Sequence, residues 1–266
     1  MNNLKLSIVL PVYNECENLK YLIPQLHNLF SFKCIEFEII IVDDNSNDGT
    51  VELLEELKEK YKNIFHIIRS CENSLPMSIF DGVQSSKYQS VMWLDADGSM
   101  DSDAVEKLFD SYSKDSSNYY IGSRFVSGGG YKGQVSEKSG LFNIIKSIKN
   151  SEDSFLAIYL LIFFNMILKK ITNVNINDLT SGFIIGDKKN YKENIFNQSN
   201  YGEYFIYLIA DLLNSNQKIY EVGYYCKPRI YGNSKTSNNI LRLIRLGLPY
   251  IKAAIKCKKK LTQPKK

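Results

Sequence analysis

Short apolar runs alternate with longer helical patterns through the first half of the chain, and this alternation restricts the fold more than any other feature. Runs with the character of strands cover residues 5–10, 37–44, 64–69, 89–95 and 119–124. Segments with apolar residues at helical spacing lie between them, over about 17–30, 49–61, 75–86 and 101–113. Strands that alternate with helices of this length predict βαβ units and a mostly parallel sheet.

Unusual polar residues follow three of these strands at the point where each strand ends. They are Tyr13-Asn14-Glu15, Asp43-Asp44 and Asp95-Ala96-Asp97. Ligands of open α/β sheets bind outside the carboxyl ends of the strands. We therefore expect the three clusters to lie close together and to form a ligand site at one edge of the sheet.

The pair Asp95 and Asp97 has the spacing of a cation site. Carboxylates at positions i and i+2 beyond a strand can share Mg²⁺ or Mn²⁺, which proteins usually hold with one or two carboxylates plus substrate phosphates. The same D-x-D pattern also occurs in ordinary solvated turns. The hypothesis from this motif is a divalent cation that bridges phosphates.

Composition and missing motifs exclude several other classes of protein. The chain has 266 residues and a net charge of only +4, so we predict no nucleic-acid partner. Its two histidines disfavour a histidine-based triad or a multi-histidine metal site, and its five cysteines form no C-x-x-C pair. No G-x-x-x-x-G-K-[ST] occurs, and no G-x-G-x-x-G follows the first strand. P-loop proteins and dinucleotide-dependent dehydrogenases are therefore disfavoured.

Two apolar segments in the second half could meet a membrane. Residues 154–168 are nearly all apolar, but a spanning helix needs about 20 such residues. This segment is therefore either a buried core helix or a helix in the membrane interface. Residues 238–260 carry an apolar stripe with arginine and lysine around it, which favours a basic interfacial helix over a plain packing helix. The N-terminus has no signal-peptide pattern, so we expect a cytoplasmic protein, peripheral at the inner face of the membrane.

Six short motifs occur in a fixed order along the chain. They are LPVYNE (10–15), IVDDNSNDGT (41–50), LDADGS (94–99), GSRFVSGG (122–129), DLTSGF (178–183) and KPRIYGNSK (227–235). Together they resemble the family 2 glycosyltransferases, most closely the dolichol-phosphate mannose synthase and polyprenyl-phosphate glycosyltransferase branch. The resemblance covers about residues 4 to 250.

This resemblance implies a GT-A fold, which is a Rossmann-like α/β fold with a mostly parallel sheet flanked by helices, here followed by a C-terminal amphipathic helix. We predict a catalytic domain at 1–236 that contains an inserted apolar helical segment at about 139–172. The basic amphipathic helix and a lysine-rich tail occupy 237–266.

The resemblance also implies an activity and a set of site residues. The activity is the inverting, metal-dependent transfer of a sugar from a GDP- or UDP-sugar donor to a polyprenyl phosphate at a membrane surface. The expected metal ligands for Mg²⁺ or Mn²⁺ are Asp95, Asp97 and Ser99, and the expected catalytic residues are Asp97, Arg124 and Asp178. Expected donor-binding residues are Pro11, Tyr13, Glu15, Val42, Asp44, Asp95, Ala96, Asp97, Arg229 and Lys235.

The role of Asp178 depends on the chemical nature of the acceptor, and two roles remain open. A lipid phosphate is already an anion and can attack without a general base, whereas a saccharide hydroxyl needs a carboxylate base near the anomeric carbon. Asp178 is the best candidate for that base, and it could equally be a helix cap or a hydrogen-bonding residue in the pocket wall. The alternatives to a lipid acceptor are therefore a saccharide hydroxyl in cell-surface polysaccharide assembly, or a non-catalytic protein that binds nucleotide sugars.

Overall fold

The computed structural model of the protein describes residues 4–131, 155–231 and 240–261. In these ranges seven strands form one sheet. The strands are Lys5–Val12 (β1), Glu36–Asp43 (β2), Ile64–Ile68 (β3), Ser90–Trp93 (β4), Tyr119–Ser123 (β5), Ile184–Asp187 (β7) and Ile219–Gly223 (β8). Across the sheet they lie in the order β3-β2-β1-β4-β7-β5-β8. A separate two-stranded ribbon pairs Gly130–Tyr131 (β6) with Tyr225–Cys226 (β9).

Helices cover both faces of the sheet. They are Cys16–Phe32 (α1), Thr50–Lys60 (α2), Leu75–Ser85 (α3), Ser102–Lys114 (α4), Phe155–Thr172 (α5), Glu193–Phe196 (α6), Tyr204–Asn214 (α7) and Ile240–Leu261 (α8). Every strand and helix predicted over the first half of the chain is confirmed within two residues at each end. The predicted α/β class with a mostly parallel sheet is also confirmed.

One strand runs against the others. β1 pairs in parallel with β2 and β4, and β5 pairs in parallel with β8. β7 lies between β4 and β5 and is antiparallel to both. The strand ends of β1, β2, β4 and β5 therefore still meet at one edge of the sheet, because the antiparallel strand changes only its own direction.

The core consists of two apolar layers, one on each side of the sheet. The first layer joins the sheet to α1, α2 and α4, and the second joins it to α3, α7 and parts of α5 and α8. Residues 39–42 of β2 are all apolar because this part of the strand contributes to both layers: Ile39 and Ile41 face the first, Ile40 and Val42 the second. In the second layer the buried indole Nε1 of Trp93 donates to Tyr204 Oη at 3.0 Å, which joins β4 to α7.

Helices α5 and α8 lie side by side over the second layer. The rings of Phe164 and Tyr250 meet edge to face, with centroids 6.0 Å apart, and Ala253 and Ala254 of α8 are fully buried. The opposite side of α5 is exposed, with Phe163 60% accessible. The helices predicted at 154–168 and 238–260 are confirmed from residue 155 and residue 240 onward, and each buries one face only. The rest of the predicted segment 139–172 lies outside the described residues.

No helix within the described ranges combines the length and the apolar character needed to cross a membrane.

Candidate active site

The strand ends line one cavity of about 910 Å³. Ten of the residues expected to form the site contribute to its wall: Pro11, Tyr13, Glu15, Asp44, Asp95, Ala96, Asp97, Ser99, Arg124 and Arg229. The expectation that clusters far apart in the chain meet at one edge of the sheet is thus realised in the geometry. Asp178 lies directly behind this wall, and Lys235 lies outside the described residues.

The D-x-D turn follows β4 and presents its two carboxylates to the cavity. Ala96 packs in the first core layer and also borders the cavity, between Asp95 and Asp97. Gly98 has a φ of +79°, a conformation that favours glycine. The turn then brings the backbone N–H of Ser99 to Asp97 Oδ1 at 3.0 Å, which fixes the direction of the Asp97 carboxylate.

The electrostatics of this turn suit a bound cation. Burial and the neighbouring negative charge of Asp97 raise the pKa of Asp95 to about 7, while Arg124 and Arg229 oppose that shift. Two carboxylates that repel each other in a desolvated site favour either a proton or a cation. A divalent cation between Asp95 and Asp97 would relieve the repulsion.

The number of acidic groups fits a cation that is completed by substrate. Among the described residues, no group of three or more His, Cys, Asp or Glu side chains is placed to hold a metal ion. Mg²⁺ and Mn²⁺ sites of the phosphate-bridging kind use one or two carboxylates and leave the other positions to water and phosphate oxygens. Asp95 and Asp97, with the Ser99 hydroxyl beside them in the cavity wall, match that pattern.

A segment that follows β9, residues 227–230, lies across the D-x-D turn. The N–H of Lys227 donates to the Ser99 carbonyl at 2.9 Å, and the N–H of Ile230 donates to the Asp97 carbonyl at 3.4 Å. A Cβ on Gly98 would lie only 2.6 Å from Ile230 Cδ1. The third position in this segment, Arg229, pairs with the Glu15 carboxylate. Glu15, the D-x-D turn and residues 227–230 therefore form one contact cluster.

One hydrogen-bond donor of Arg229 is left for a ligand. Its Nε is buried and has no hydrogen-bond partner within the described part of the chain. A buried guanidinium nitrogen without a partner is costly. Its position in the cavity wall makes an anionic ligand the natural partner.

At the other end of the cavity Asp44 is held by a residue that the sequence did not single out. Arg69 Nη1 donates to Asp44 Oδ1, the N–H of Ser74 donates to Asp44 Oδ2 at 2.6 Å, and Arg69 Nε donates to Asp81 Oδ2 at 2.8 Å. Arg69 is 7% exposed. Sequence analysis could have found Arg69 from its position directly after β3, because the other candidate site residues also follow the ends of strands.

Val42 does not line the cavity, contrary to its place among the expected donor-binding residues. It is fully buried in the second core layer, where it packs against Gly82 of α3. Alternation along β2 turns this side chain toward α3, whereas Asp44 lies beyond the end of the strand and is free to reach the cavity.

Arg124 and Asp178 form a two-point ion pair behind the D-x-D turn. Arg124 Nε donates to Asp178 Oδ2 and Arg124 Nη2 donates to Asp178 Oδ1, both at 2.8 Å. Asp178 is fully buried. Burial lowers the pKa of Arg124, but the charge and hydrogen bonds of Asp178, together with Tyr131 and Tyr224, more than compensate and raise it well above its usual value. Both carboxylate oxygens of Asp178 are therefore engaged by the cation that lines the cavity.

The apolar half of the cavity wall comes from α5 and α8. The residues are Ile158, Leu160, Leu161, Phe163, Phe164, Ile167, Leu246, Leu248, Tyr250 and Ile251. Sequence patterns predicted the two helices but not their place in the same cavity as the strand ends. Tyr250 is the clearest example: burial raises the pKa of its phenol above the usual value, and its hydroxyl lies where a Cβ on residue 202 would be, so Gly202 makes room for it.

This topology, with acidic residues at the strand ends, is that of the GT-A fold. A solved structure of glucosyl-3-phosphoglycerate synthase from Mycobacterium tuberculosis, in complex with Mn²⁺, UDP-glucose and phosphoglyceric acid, has the same fold. It superposes with a TM-score of 0.61 at 12% identity and covers 96% of this chain and 80% of that one. The sequence model for glycosyl transferase family 2 matches residues 7–194. The chain belongs to this family and is an enzyme of the glycosyltransferase class.

Curated relatives within the family have different acceptors in their names. Dolichol-phosphate mannosyltransferase from Pyrococcus furiosus is 34% identical over 126 residues, which is 47% of this chain and 35% of that protein. Poly(ribitol-phosphate) beta-glucosyltransferase from Bacillus spizizenii is 29% identical over 120 residues, or 45% of this chain and 19% of that protein. The chain thus matches well under half of the length of these two relatives.

Proposed function

We propose that the protein transfers a sugar from a GDP- or UDP-sugar to a polyprenyl phosphate, with inversion at the anomeric carbon. One observation carries this proposal: a single cavity joins the charged strand ends to the apolar wall of α5 and α8. A polyprenyl phosphate needs both surfaces, because its phosphate requires cations and its chain requires apolar contact. The name of the Pyrococcus furiosus relative supports the same acceptor class.

The donor occupies the strand-end half of the cavity. Pro11, Tyr13 and Asp44 form the nucleoside end, where the 40% exposed ring of Tyr13 offers a stacking surface. The diphosphate lies toward Asp95, Asp97 and Arg229, whose buried Nε lacks a partner in the described structure. Lys235 is a further donor-binding candidate on the same motif as Arg229.

Asp95, Asp97 and Ser99 would hold Mg²⁺ or Mn²⁺. When bound, the cation neutralises charge that develops on the departing diphosphate. The M. tuberculosis structure of the same fold contains Mn²⁺ together with UDP-glucose, which supports a divalent ion at the corresponding site of this chain. The acidic pair in this chain, with its raised Asp95 pKa, supplies the matching negative site.

The chemistry is a single displacement. An oxygen of the acceptor phosphate attacks the anomeric carbon on the face opposite the diphosphate, and the bond between that carbon and the diphosphate oxygen breaks. The bonding electrons leave with the nucleoside diphosphate, and no proton has to move because the acceptor is already an anion. Arg124 and Arg229 stabilise the phosphate charges on either side of the reaction. Asp178 orients Arg124 rather than accepting a proton, since both its oxygens receive hydrogen bonds from Arg124.

The exposed faces of α5 and α8 supply a membrane-binding surface, which we define as Tyr159, Leu160, Phe163, Met166, Leu248 and Ile255. Each of these side chains is at least 36% exposed. Lys252 and Lys256 lie on the exposed side of α8. Apolar residues beside lysines are typical of helices that lie in the interface of an anionic membrane. We therefore propose peripheral association with the cytoplasmic face of the membrane.

A hydroxyl acceptor is the second candidate, because the Bacillus spizizenii relative carries a poly(ribitol-phosphate) acceptor in its name. A hydroxyl must lose its proton to a base. The Arg124 contacts leave Asp178 poorly placed for that role, so we rank this candidate lower.

Nucleotide release is the measurement that tests the proposal. The protein is incubated with Mg²⁺ or Mn²⁺ and a panel of UDP- and GDP-sugars, with polyprenyl phosphate, with a polyol phosphate polymer, or with neither. We expect one donor to release nucleotide much faster when polyprenyl phosphate is present, and a glycosylated lipid to form. Stimulation by the polymer alone would replace the lipid acceptor with a hydroxyl.

A further inference from the structure

Asn165 is a buried amide in the middle of the otherwise apolar helix α5. Its side chain is 2% exposed, and a buried amide is unfavourable unless its hydrogen bonds are made. Asn165 Nδ2 donates to the Leu161 carbonyl at 3.0 Å and to Thr180 Oγ1 at 2.9 Å, while Asn165 Oδ1 accepts from the N–H of Leu179 at 2.9 Å. Two of these three bonds leave the helix and reach the loop that carries Asp178.

The Thr180 hydroxyl connects Asn165 to the ion pair of Arg124 and Asp178. Its oxygen accepts from Asn165 Nδ2 and from Arg124 Nη2, each at 2.9 Å, and its proton is directed to Asp178 Oδ1 at 3.2 Å. A hydroxyl has two acceptor positions and one donor, so all of its capacity is used. The position of the Arg124 guanidinium is therefore tied through one oxygen atom to α5.

We propose that Asn165 is a positioning residue for the transfer reaction, which holds the Arg124 guanidinium in its productive orientation through Thr180. This inference rests on the proposed function only in that Arg124 acts on a phosphate in the cavity. Phe164 of α5 lines the apolar part of the cavity, and Asn165 follows it directly. A movement of α5 when an acceptor binds would therefore move the Arg124 guanidinium, because the Asn165 amide connects the helix to Thr180.

The other supports of the loop do not replace this contact. Glu221 of β8 accepts from the N–H groups of Asn177 and Asp178 at 2.9 and 3.1 Å, and Lys169 Nζ donates to Asn177 Oδ1 at 2.7 Å. These bonds anchor the start of the loop. In the described structure, α5 reaches the Thr180 hydroxyl through Asn165.

The first experiment compares Asn165→Leu with a matched change on the same helix. Thr172 is 3% exposed, and within the described ranges its hydroxyl donates to carbonyls of α5 alone, so Thr172→Val removes a buried polar contact without touching the loop. We expect Asn165→Leu to lower kcat at least about tenfold, and Thr172→Val to leave kcat within about twofold of wild type. Equal kcat for wild type and folded Asn165→Leu would overturn the proposal.

A second pair of variants separates positioning from stability. Thr180→Ser keeps the hydroxyl and should retain wild-type kcat, while Thr180→Val should lose as much as Asn165→Leu. The double variant Asn165→Leu/Thr180→Val should be no slower than the slower single variant, because both changes act on the same guanidinium. Additive losses, or a Thr180→Ser variant as slow as Thr180→Val, would contradict the proposal even if Asn165→Leu fails to fold.

A spectroscopic measurement keeps the inference separate from the choice of acceptor. The Arg124 Nε–H is bonded to Asp178, so its ¹H–¹⁵N NMR signal should exchange slowly with water in the wild type and in Thr172→Val. We expect exchange to be roughly tenfold faster in Asn165→Leu. If polyprenyl phosphate proves not to be the acceptor, kcat is read from donor hydrolysis and this signal is unaffected. An unchanged exchange rate in Asn165→Leu would also overturn the proposal.

Discussion

The backbone N–H of Arg124 donates to Asp178 Oδ2 at 2.9 Å, in addition to the two bonds from its side chain. The carboxylate of Asp178 thus holds both the main chain and the guanidinium of the same residue. Asp178 is fully buried and the Arg124 side chain is 13% exposed. This ion pair holds the Arg124 guanidinium at the boundary between the proposed donor and acceptor halves of the cavity.

Asp178→Asn tests this role against that of a general base. Removing one partner of a buried pair leaves an uncompensated charge, so we expect the free energy of unfolding to fall by about 3–5 kcal/mol. Turnover should drop by roughly two orders of magnitude. Chemical denaturation and nucleotide release measure the two effects.

Arg124→Lys is the companion variant, because lysine keeps the charge but lacks the two-point geometry. If Asp178 acts through Arg124, Asp178→Asn and Arg124→Lys should reduce turnover by similar factors. The double variant should then turn over no more slowly than the slower single variant. A base would behave differently: Asp178→Asn would abolish an acidic limb of the pH–rate profile that Arg124→Lys retains.

Asp97→Asn should abolish binding of Mn²⁺ and reduce transfer by at least about two orders of magnitude, with the fold intact. The reason is that the variant leaves a single carboxylate at the D-x-D turn. Asp103→Asn, at an exposed position in the first turn of α4, is the matched control and should behave as wild type. Calorimetry with Mn²⁺ and circular dichroism provide the readouts.

Chelation makes the same prediction without a mutation. Transfer should stop in excess EDTA and return when Mg²⁺ or Mn²⁺ is added back. Full turnover of the wild type in EDTA, or of Asp97→Asn with metal, would rule out the cation site.

Phe163→Asp tests the membrane-binding surface on α5. This side chain is 60% exposed, and burial of a large apolar side chain contributes roughly 1.5–3 kcal/mol. We expect binding to anionic phospholipid vesicles to weaken about tenfold or more, and binding of the wild type to weaken in high salt because lysines contribute. Vesicle sedimentation measures both.

Phe32→Asp is the matched control for that surface. Phe32 is 89% exposed but ends α1, which packs on the other side of the sheet. Its vesicle binding should equal that of the wild type. Comparable losses in both variants would mean that the membrane contact is not confined to α5 and α8.

Gly98→Ala should separate Arg229 from the D-x-D turn. The new Cβ would lie 2.6 Å from Ile230 Cδ1, in a backbone conformation with φ of +79°. We expect lower donor affinity and a free energy of unfolding reduced by about 1–3 kcal/mol. Isothermal titration with the nucleoside diphosphate and Mn²⁺ measures the affinity.

Adding Ile230→Ala to Gly98→Ala removes the collision but leaves the strained φ. The double variant should therefore recover part of the lost donor affinity, and Ile230→Ala alone should stay close to wild type. A double variant as weak as Gly98→Ala would show that backbone strain, and not the contact with Ile230, carries the effect.

Sequence patterns could predict the first half of the fold because each element there is encoded locally. Apolar periodicity located β1 through β5 and α1 through α4, and the rule on strand ends brought Glu15, Asp44 and Asp97 to one cavity. β7 was not predicted, because its place in the sheet and its antiparallel direction depend on its partners β4 and β5.

The remaining features depend on contacts between distant parts of the chain. Asp178 meets Arg124 across 54 residues, and Tyr250 enters the cavity only because α8 packs on α5. Val42 shows a different limit of the sequence analysis. It stands in a motif beside candidate site residues, but strand alternation directs its side chain into the core.

The cavity wall includes Pro11 from β1 and Ile251 from α8. The cavity is therefore complete only when α8 is docked beside α5. A molecule in which α8 is detached would keep the strand-end residues together but would lose part of the apolar wall, and with it the surface that the proposed prenyl chain needs.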